Sequence, residues 1–325
     1  MSKQFNLAID LVRLTQFRDI PSFESPDGIQ INIIPVTGNV RNVNITKPFW
    51  DLLLMSANIG IESSNDEVTD KLYNVRRFKR YAKNVQQDFL QYHIGQYYPQ
   101  YVHLPVYGGN LTGGLTALNI PDGKYMLKDA WGARGVGLIE LDTRNLSLTG
   151  LLRRIKEYRL KSDNKPTVDG YRNLLKTLGC KFHEGIYRDE KEILSKFEKL
   201  EEYFIAQQML DMSNYIELRV MMYNCHHLIY TRPDLDTEYN GYGEPYEVPD
   251  INLVSIISIL TAVFRGHGLV SIDLFYDVAS GKWGIFEFQN QYGLENIRND
   301  HHDKFIKDVI VDIVKEHLNV TEGNK

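Results

Sequence analysis

Apolar residues near the start of the chain gather in three runs, at 5–14, 29–36 and 49–59, separated by turn-forming segments such as Pro26-Asp27-Gly28. Apolar runs separated in this way look like an α/β domain, expected over 1–82. At 70–92 the pattern becomes helical and basic, and 95–114 is rich in Tyr, Pro and Gly, which reads as a linker or loop at a change of domain. Residues 124–142 then read strand, glycine loop, strand, divided as 124–129, 131–137 and 138–141. Residues 151–160 and 189–202 read as helices, with a polar interval between them. The second opens on acidic residues that suit the positive end of a helix dipole. Five stretches, 203–210, 217–223, 228–231, 269–276 and 283–288, resemble strands of a largely antiparallel sheet. Phe305, Ile306, Val309, Ile310, Ile313, Val314 and Leu318 recur at helical spacing, so the chain closes on an amphipathic helix packed against that sheet. The central domain is expected over 83–210 and the last over 211–325.

Composition narrows the class. In 325 residues, 43% are hydrophobic and 24% charged, which excludes disordered, collagen-like and coiled-coil chains. A net charge of −5 argues against general affinity for polyanions. The concentrated positive charge is Arg76, Arg77, Lys79, Arg80 and Lys83, interleaved with Phe78 and Tyr81. A solvated surface helix explains this stretch, and an acidic or nucleic-acid partner is the sharper alternative. Cys180 and Cys225 are the only cysteines, so no disulfide framework exists and a cytoplasmic, reducing compartment is expected. Both read as small buried hydrophobes. Asp10 and Arg13 interrupt any N-terminal targeting core, and the apolar run 254–264 is shorter than the ~20 residues of a membrane helix. No membrane partner is expected. His226-His227 and His301-His302 are adjacent rather than helically spaced, and read as structural or surface residues.

The chemistry-bearing residues come later. Gly132, Gly135 and Gly137 surround Ala133, Arg134 and Val136, a spacing that lets backbone N–H groups turn toward phosphate oxygens. A β-rich Leu-Ile-Glu-Leu follows instead of a helix or a Gly-Lys-Ser/Thr, so dinucleotide and P-loop motifs are disfavoured. A plain glycine-rich hairpin turn is the alternative. Lys128 lies on the strand entering the loop, where an ammonium reaches phosphates that the loop covers. Residues 203–210 form either a core strand or an edge able to hold a flat adenine. Glu217 and Arg219 share a face of the next strand and either pair or bind ligand. Arg232 is most simply a surface ion-pair partner. Asp273 on one strand and Glu287 and Gln289 on the next supply hard oxygen donors suited to Mg²⁺ bridging ATP phosphates.

In this order the features resemble the ATP-grasp superfamily, and within it the branch that adds glutamate or similar amino acids to peptide and protein carboxylates. The resemblance runs over about 83–318. It implies an N-terminal α/β domain, a central lid domain with a glycine-rich flap and a C-terminal sheet domain. It further implies that ATP is held by Lys83, with Lys71 and Lys79 as alternatives for that role, by Lys128, the flap residues Gly132, Arg134, Gly135 and Gly137, the hinge residues Gln208, Met209 and Leu210, and Glu217. The same resemblance gives Mg²⁺ or Mn²⁺ to Asp273, Glu287 and Gln289, and charge stabilisation to Arg219 and Arg232. Gln208 stands where the family has glutamate, Gln289 where it has Asn, and Tyr292 where it has Pro. The implied reaction is ATP-dependent ligation of a carboxylate and an amine through an acyl phosphate, with release of ADP and phosphate. A kinase that stops at phosphoryl transfer, and a nucleotide-binding protein with weakened catalysis, are the alternatives.

Overall fold

The computed structural model describes residues 3–11, 17–37, 50–54, 61–62, 89–90, 92–94, 106–108, 121–129, 137–161, 165–183, 189–200, 203–231, 246, 250–289 and 300–323. Chain contacts divide it into two compact units, one of residues 1–80 with 215–325 and the other of residues 81–214.

The first unit holds two sheets. Strands β1 (Lys3–Asp10), β2 (Phe23–Glu24), β3 (Ile29–Val36), β4 (Leu52–Leu54) and β5 (Ile61–Glu62) form one in the order β2-β3-β1-β4-β5. Central β1 runs parallel to both β3 and β4 and is buried from Leu7 through Asp10. That continuous burial is what a strand covered on both faces requires. The chain continues, after the second unit, with β11 (Ile216–Tyr223), β12 (His226–Thr231), helix α4 (Ile251–Phe264), β13 (Val270–Asp277), β14 (Lys282–Gln289) and helix α5 (Asp300–Gly323). These strands make an antiparallel sheet in the order β12-β11-β13-β14. Leu218, Val220, Met222, Ile272, Leu274 and Ile285 are buried on one face. Phe264 of α4 meets Phe288 edge-on there, with ring centroids 5.0 Å apart. Part of the other face, Met221, Tyr223 and Tyr230, joins one core with Phe5, Leu7 and Ile9 of β1 and the apolar stripe of α5 from Phe305 to Val314. The expected closing helix therefore packs against both sheets of its unit.

The second unit is built on β6 (Val106–Gly108), β7 (Lys124–Asp129), β8 (Leu138–Asp142), β9 (Lys181–His183) and β10 (Tyr203–Gln208), in the order β6-β10-β7-β8-β9. Helices α1 (Leu148–Lys161), α2 (Val168–Thr177) and α3 (Glu190–Leu200) supply its core with Leu151, Leu152, Ile155, Tyr171, Leu175, Ile193 and Phe197. Tyr171 stacks on Phe197 at 3.9 Å between centroids and 6° between planes. The polar interval between the two expected helices thus contains α2 and β9. Thr167 caps α2 by accepting a hydrogen bond from the Gly170 N–H.

Candidate functional site

In the antiparallel ladder of the first unit, Arg219 on β11 stands opposite Asp273 on β13, and Asp273 stands opposite Glu287 on β14. Directly opposed residues share a face, so these three charged groups form one row across the sheet. The row begins where the core ends. Along β11, Glu217 and Arg219 precede Met221 and Tyr223 on the same face, and only the latter two enter the core.

The row is firmly built. Arg219 Nε donates to Asp273 Oδ1 at 2.6 Å and Nη2 donates to Oδ2 at 2.8 Å, a bidentate pair whose side chains are 12% and 4% exposed. The sequence left open a pairing of Arg219 with Glu217, and the structure pairs it with Asp273. Glu287 is half-buried. Its position depends on a register shift after Asp273, which leaves Phe286 as the extra residue of a bulge. Gly284 and Glu287, three residues apart, consequently share a face. Glu217 lies opposite Phe275, which in turn lies opposite Gly284. A Cβ on Gly284 would come within 1.9 Å of the Phe275 ring, so the glycine makes room for that ring at the margin of the row.

The donor set fits a hard divalent cation. Within the row two carboxylates stand beside one guanidinium, and carboxylate oxygens are the donor type that hard cations take. Gln289 occupies the next same-face register position, opposite Ser271.

The second unit gathers the other expected residues. Lys128 is opposite Ile205, and Met126 is opposite both Gln207 and Glu140, so Lys128, Gln207 and Glu140 lie on one face of the sheet. Tyr125, Leu127 and Ala206 lie on the other, against the helices. Lys128 is half-buried and Gln207 is 4% exposed, whereas Gln208 is exposed on the opposite face. The glutamine that shares the Lys128 face is therefore Gln207, which the sequence reading passed over. Strand alternation separates Gln207 from Gln208, but only the register with β7 tells which faces Lys128. Glu140 extends the polar face through His183 Nε2 at 2.5 Å and Lys181 Nζ at 3.4 Å.

Two backbone donors are already engaged. Gly137 takes a left-handed φ of 71° and donates its N–H to the His183 carbonyl at 3.1 Å, which ties the end of the glycine segment to β9. Met209 N–H donates to the Lys124 carbonyl at 2.9 Å, and Leu210 follows it, half-buried. Lys83, Gly132, Arg134, Gly135 and Arg232 lie outside the described residues, as do Lys71, Arg76, Arg77, Lys79 and Arg80. Among the described residues no helix is long and apolar enough to cross a membrane.

This mixed α/β architecture matches the ATP-grasp fold that the sequence led one to expect. The chain is similar to D-alanine–D-alanine ligase from Bacillus anthracis, at 12% identity and a TM-score of 0.50, over 99% of this chain and 100% of that one. The same enzyme complexed with ATP aligns at 11% identity and a TM-score of 0.50 over the same shares. A RiPP-associated ATP-grasp ligase from Chryseobacterium gregarium, in complex with ADP and a leader and core peptide, aligns at 9% identity and a TM-score of 0.48, over 95% and 97% of the two chains. No protein-family model matches the chain. No curated protein matches it either.

Proposed function

We propose that this protein is an ATP-dependent ligase that joins a carboxylate to an amine through an acyl phosphate. The observation that carries the reading is the row Arg219, Asp273 and Glu287, where a desolvated ion pair stands beside a second carboxylate. Buried charge in this arrangement contributes little to stability compared with an apolar core, which favours a chemical role. The fold likeness to a ligase that binds ATP supports the choice of nucleotide.

In this reading Lys128 places positive charge on the ATP phosphates, Gln207 and the hinge residues Gln208 to Leu210 receive the base, and Glu217 receives the ribose. Lys83, the glycine segment 132–137 and Arg232 keep the roles the resemblance implies. Asp273, Glu287 and Gln289 are the residues that would hold Mg²⁺, and the ion would supply charge neutralisation to the phosphates. A substrate carboxylate oxygen attacks the γ-phosphorus, the bond to the β-phosphate oxygen breaks, and ADP leaves. The amine nitrogen then attacks the acyl carbon, loses a proton, and phosphate departs with the electrons of the broken C–O bond. Asp273 fixes the plane of the Arg219 guanidinium, so its charge is already oriented when negative charge builds on the transferring oxygens. The substrates are an amino acid or peptide carboxylate and an amine.

The test is product analysis. The protein is incubated with ATP, Mg²⁺ and a panel of amino acids and peptide carboxylates, and nucleotide, phosphate and added mass are measured. ADP and phosphate should appear in step with an amide, and hydroxylamine in place of the amine should give a hydroxamate, because an acyl phosphate accepts any good nucleophile. Release of AMP, or a phosphorylated product that no amine consumes, overturns the ligase reading.

A further inference from the structure

Where the hairpin joining β11 to β12 meets α5, three donors of a different chemistry come together. Cys225 Sγ, a ring nitrogen of His226 and an Asp312 carboxylate oxygen, the last from α5, all lie within 4.8 Å of one another. His226 Nε2 and Asp312 Oδ2 are 3.1 Å apart. We propose that Cys225, His226 and Asp312 form a binding site for a borderline divalent cation of the Zn²⁺ class, separate from the carboxylate row.

Donor type gives the class. Thiolate and imidazole select Zn²⁺ and its neighbours over the hard Mg²⁺. Geometry agrees. Tetrahedral Zn²⁺ with bonds of about 2.0–2.1 Å to N and O has an N···O edge of about 3.3 Å, close to the observed His226–Asp312 spacing. An exposed Cys225 side chain closes the remaining distance by turning about its own rotamer wells. On binding, the Cys225 thiol gives up its proton, and the cation takes the Nε2 lone-pair position that faces Asp312.

The surroundings hold the donors in place. Asn224, at a left-handed φ of 49°, makes the sharp turn that presents Cys225. Its side chain is clamped twice: Nδ2 donates to Glu316 Oε1 at 2.9 Å, and Oδ1 accepts from the Gly266 N–H at 3.3 Å. Glu316 lies one helical turn beyond Asp312 on α5, adding a second carboxylate beside the site. Cys225 also borders a surface cleft with His227, Val254, Ile257, Ser258 and Thr261, which gives a cation a path in. The adjacency of His226 and His227, which spoke against metal binding in the sequence, sends the two rings to opposite sides of β12, so that one ring meets α5 and the other borders the cleft.

The experiment uses the full chain, freed of metal by chelator, and titrates it with Co²⁺ and separately with Zn²⁺. Co²⁺ should produce a thiolate-to-metal charge-transfer band, Zn²⁺ should abolish that band by competition, and Zn²⁺ should slow alkylation of Cys225. Cys225→Ser and His226→Gln should remove the band and weaken Zn²⁺ binding by more than the ~10–100-fold typical of losing an outer partner. Asn224→Ala should weaken it within that range. Cys180→Ala and Glu287→Gln should leave the band intact, since one removes the buried thiol and the other alters the carboxylate row without unfolding the chain. A band that survives Cys225→Ser, or Zn²⁺ binding lost only with Glu287→Gln, overturns the proposal. So does the absence of any thiolate band with the fold intact by circular dichroism.

Discussion

Arg219 and Asp273 are each costly to bury alone, and their bidentate pairing makes the arrangement tolerable. Asp273→Asn leaves the guanidinium without its counter-charge, and urea unfolding should show a loss of about 3–5 kcal/mol. Glu287 is half-buried, and Glu287→Gln keeps its shape, so stability should change by less than about 1 kcal/mol while ligase turnover falls by at least an order of magnitude. Equal stability losses in both variants would make the row structural. A second residue argues through protonation. Burial lowers the pKa of His317, opposed by the Asp51 charge, and its ring lies edge-on to Phe5 at 5.8 Å. A depressed value means the fold prefers neutral imidazole. The stability it contributes is present above the ordinary value of about 6.5 and is lost as pH falls through the folded value. The difference in urea midpoint between wild type and His317→Gln should therefore shrink on acidification, and a difference that does not change with pH refutes the assignment.

At the scale of elements, close packing replaces charge as the controlling term. Gly284 leaves space for the Phe275 ring, which also touches Tyr215 and Phe286 at centroid distances of 5.4 and 4.9 Å. Gly284→Ala should lower thermal stability by about 1–3 kcal/mol, and adding Phe275→Leu should recover part of the loss. No recovery would mean that backbone strain rather than the ring is responsible. Elements of this kind were legible in the sequence where one period dominated: 124–129 was read as a strand and is one with those bounds, and the apolar run at 29–36 coincides with β3. Two helices were not. Helix α2 is only 10 residues long and buries just Val168, Tyr171 and Leu175 among mostly polar neighbours, with the Thr167 cap as the remaining signal. In α4 apolar residues surround the axis, since Leu253, Ile256, Ile257 and Leu260 are buried while Ile251 and Val254 are exposed, so no stripe distinguishes it. The members of the charged row were legible as residue types, but their pairing required the register of β11, β13 and β14 and a bulge that local sequence does not fix. Cys225 was expected inside and lies outside, because it sits at a hairpin turn rather than within a strand.

Among the described residues each unit has an apolar cluster of its own, and α5 decides how that of residues 1–80 and 215–325 is shared. Its buried residues, from Phe305 to Val314, join a core that also contains β1, β4 and parts of β11 and β12. Leu151 of α1 belongs instead to the core of residues 81–214, with Tyr125, Leu127 and Ile139. Ile310 and Leu151 are both fully buried, so truncating either to alanine should cost about 2–5 kcal/mol. The locations of the losses should differ. Hydrogen exchange read by mass spectrometry should show Ile310→Ala weakening protection in β1, β3 and β11 together, although these strands are separated by the whole second unit in sequence. Peptides from β7, β8 and β9 should keep theirs. Leu151→Ala should give the converse pattern. If Ile310→Ala weakened only α5 and β12, residues 1–80 would have a core of their own and the two terminal segments would not fold as one body. If either substitution weakened both units equally, the chain would unfold as a single cooperative block, and the division by cores would have no energetic meaning.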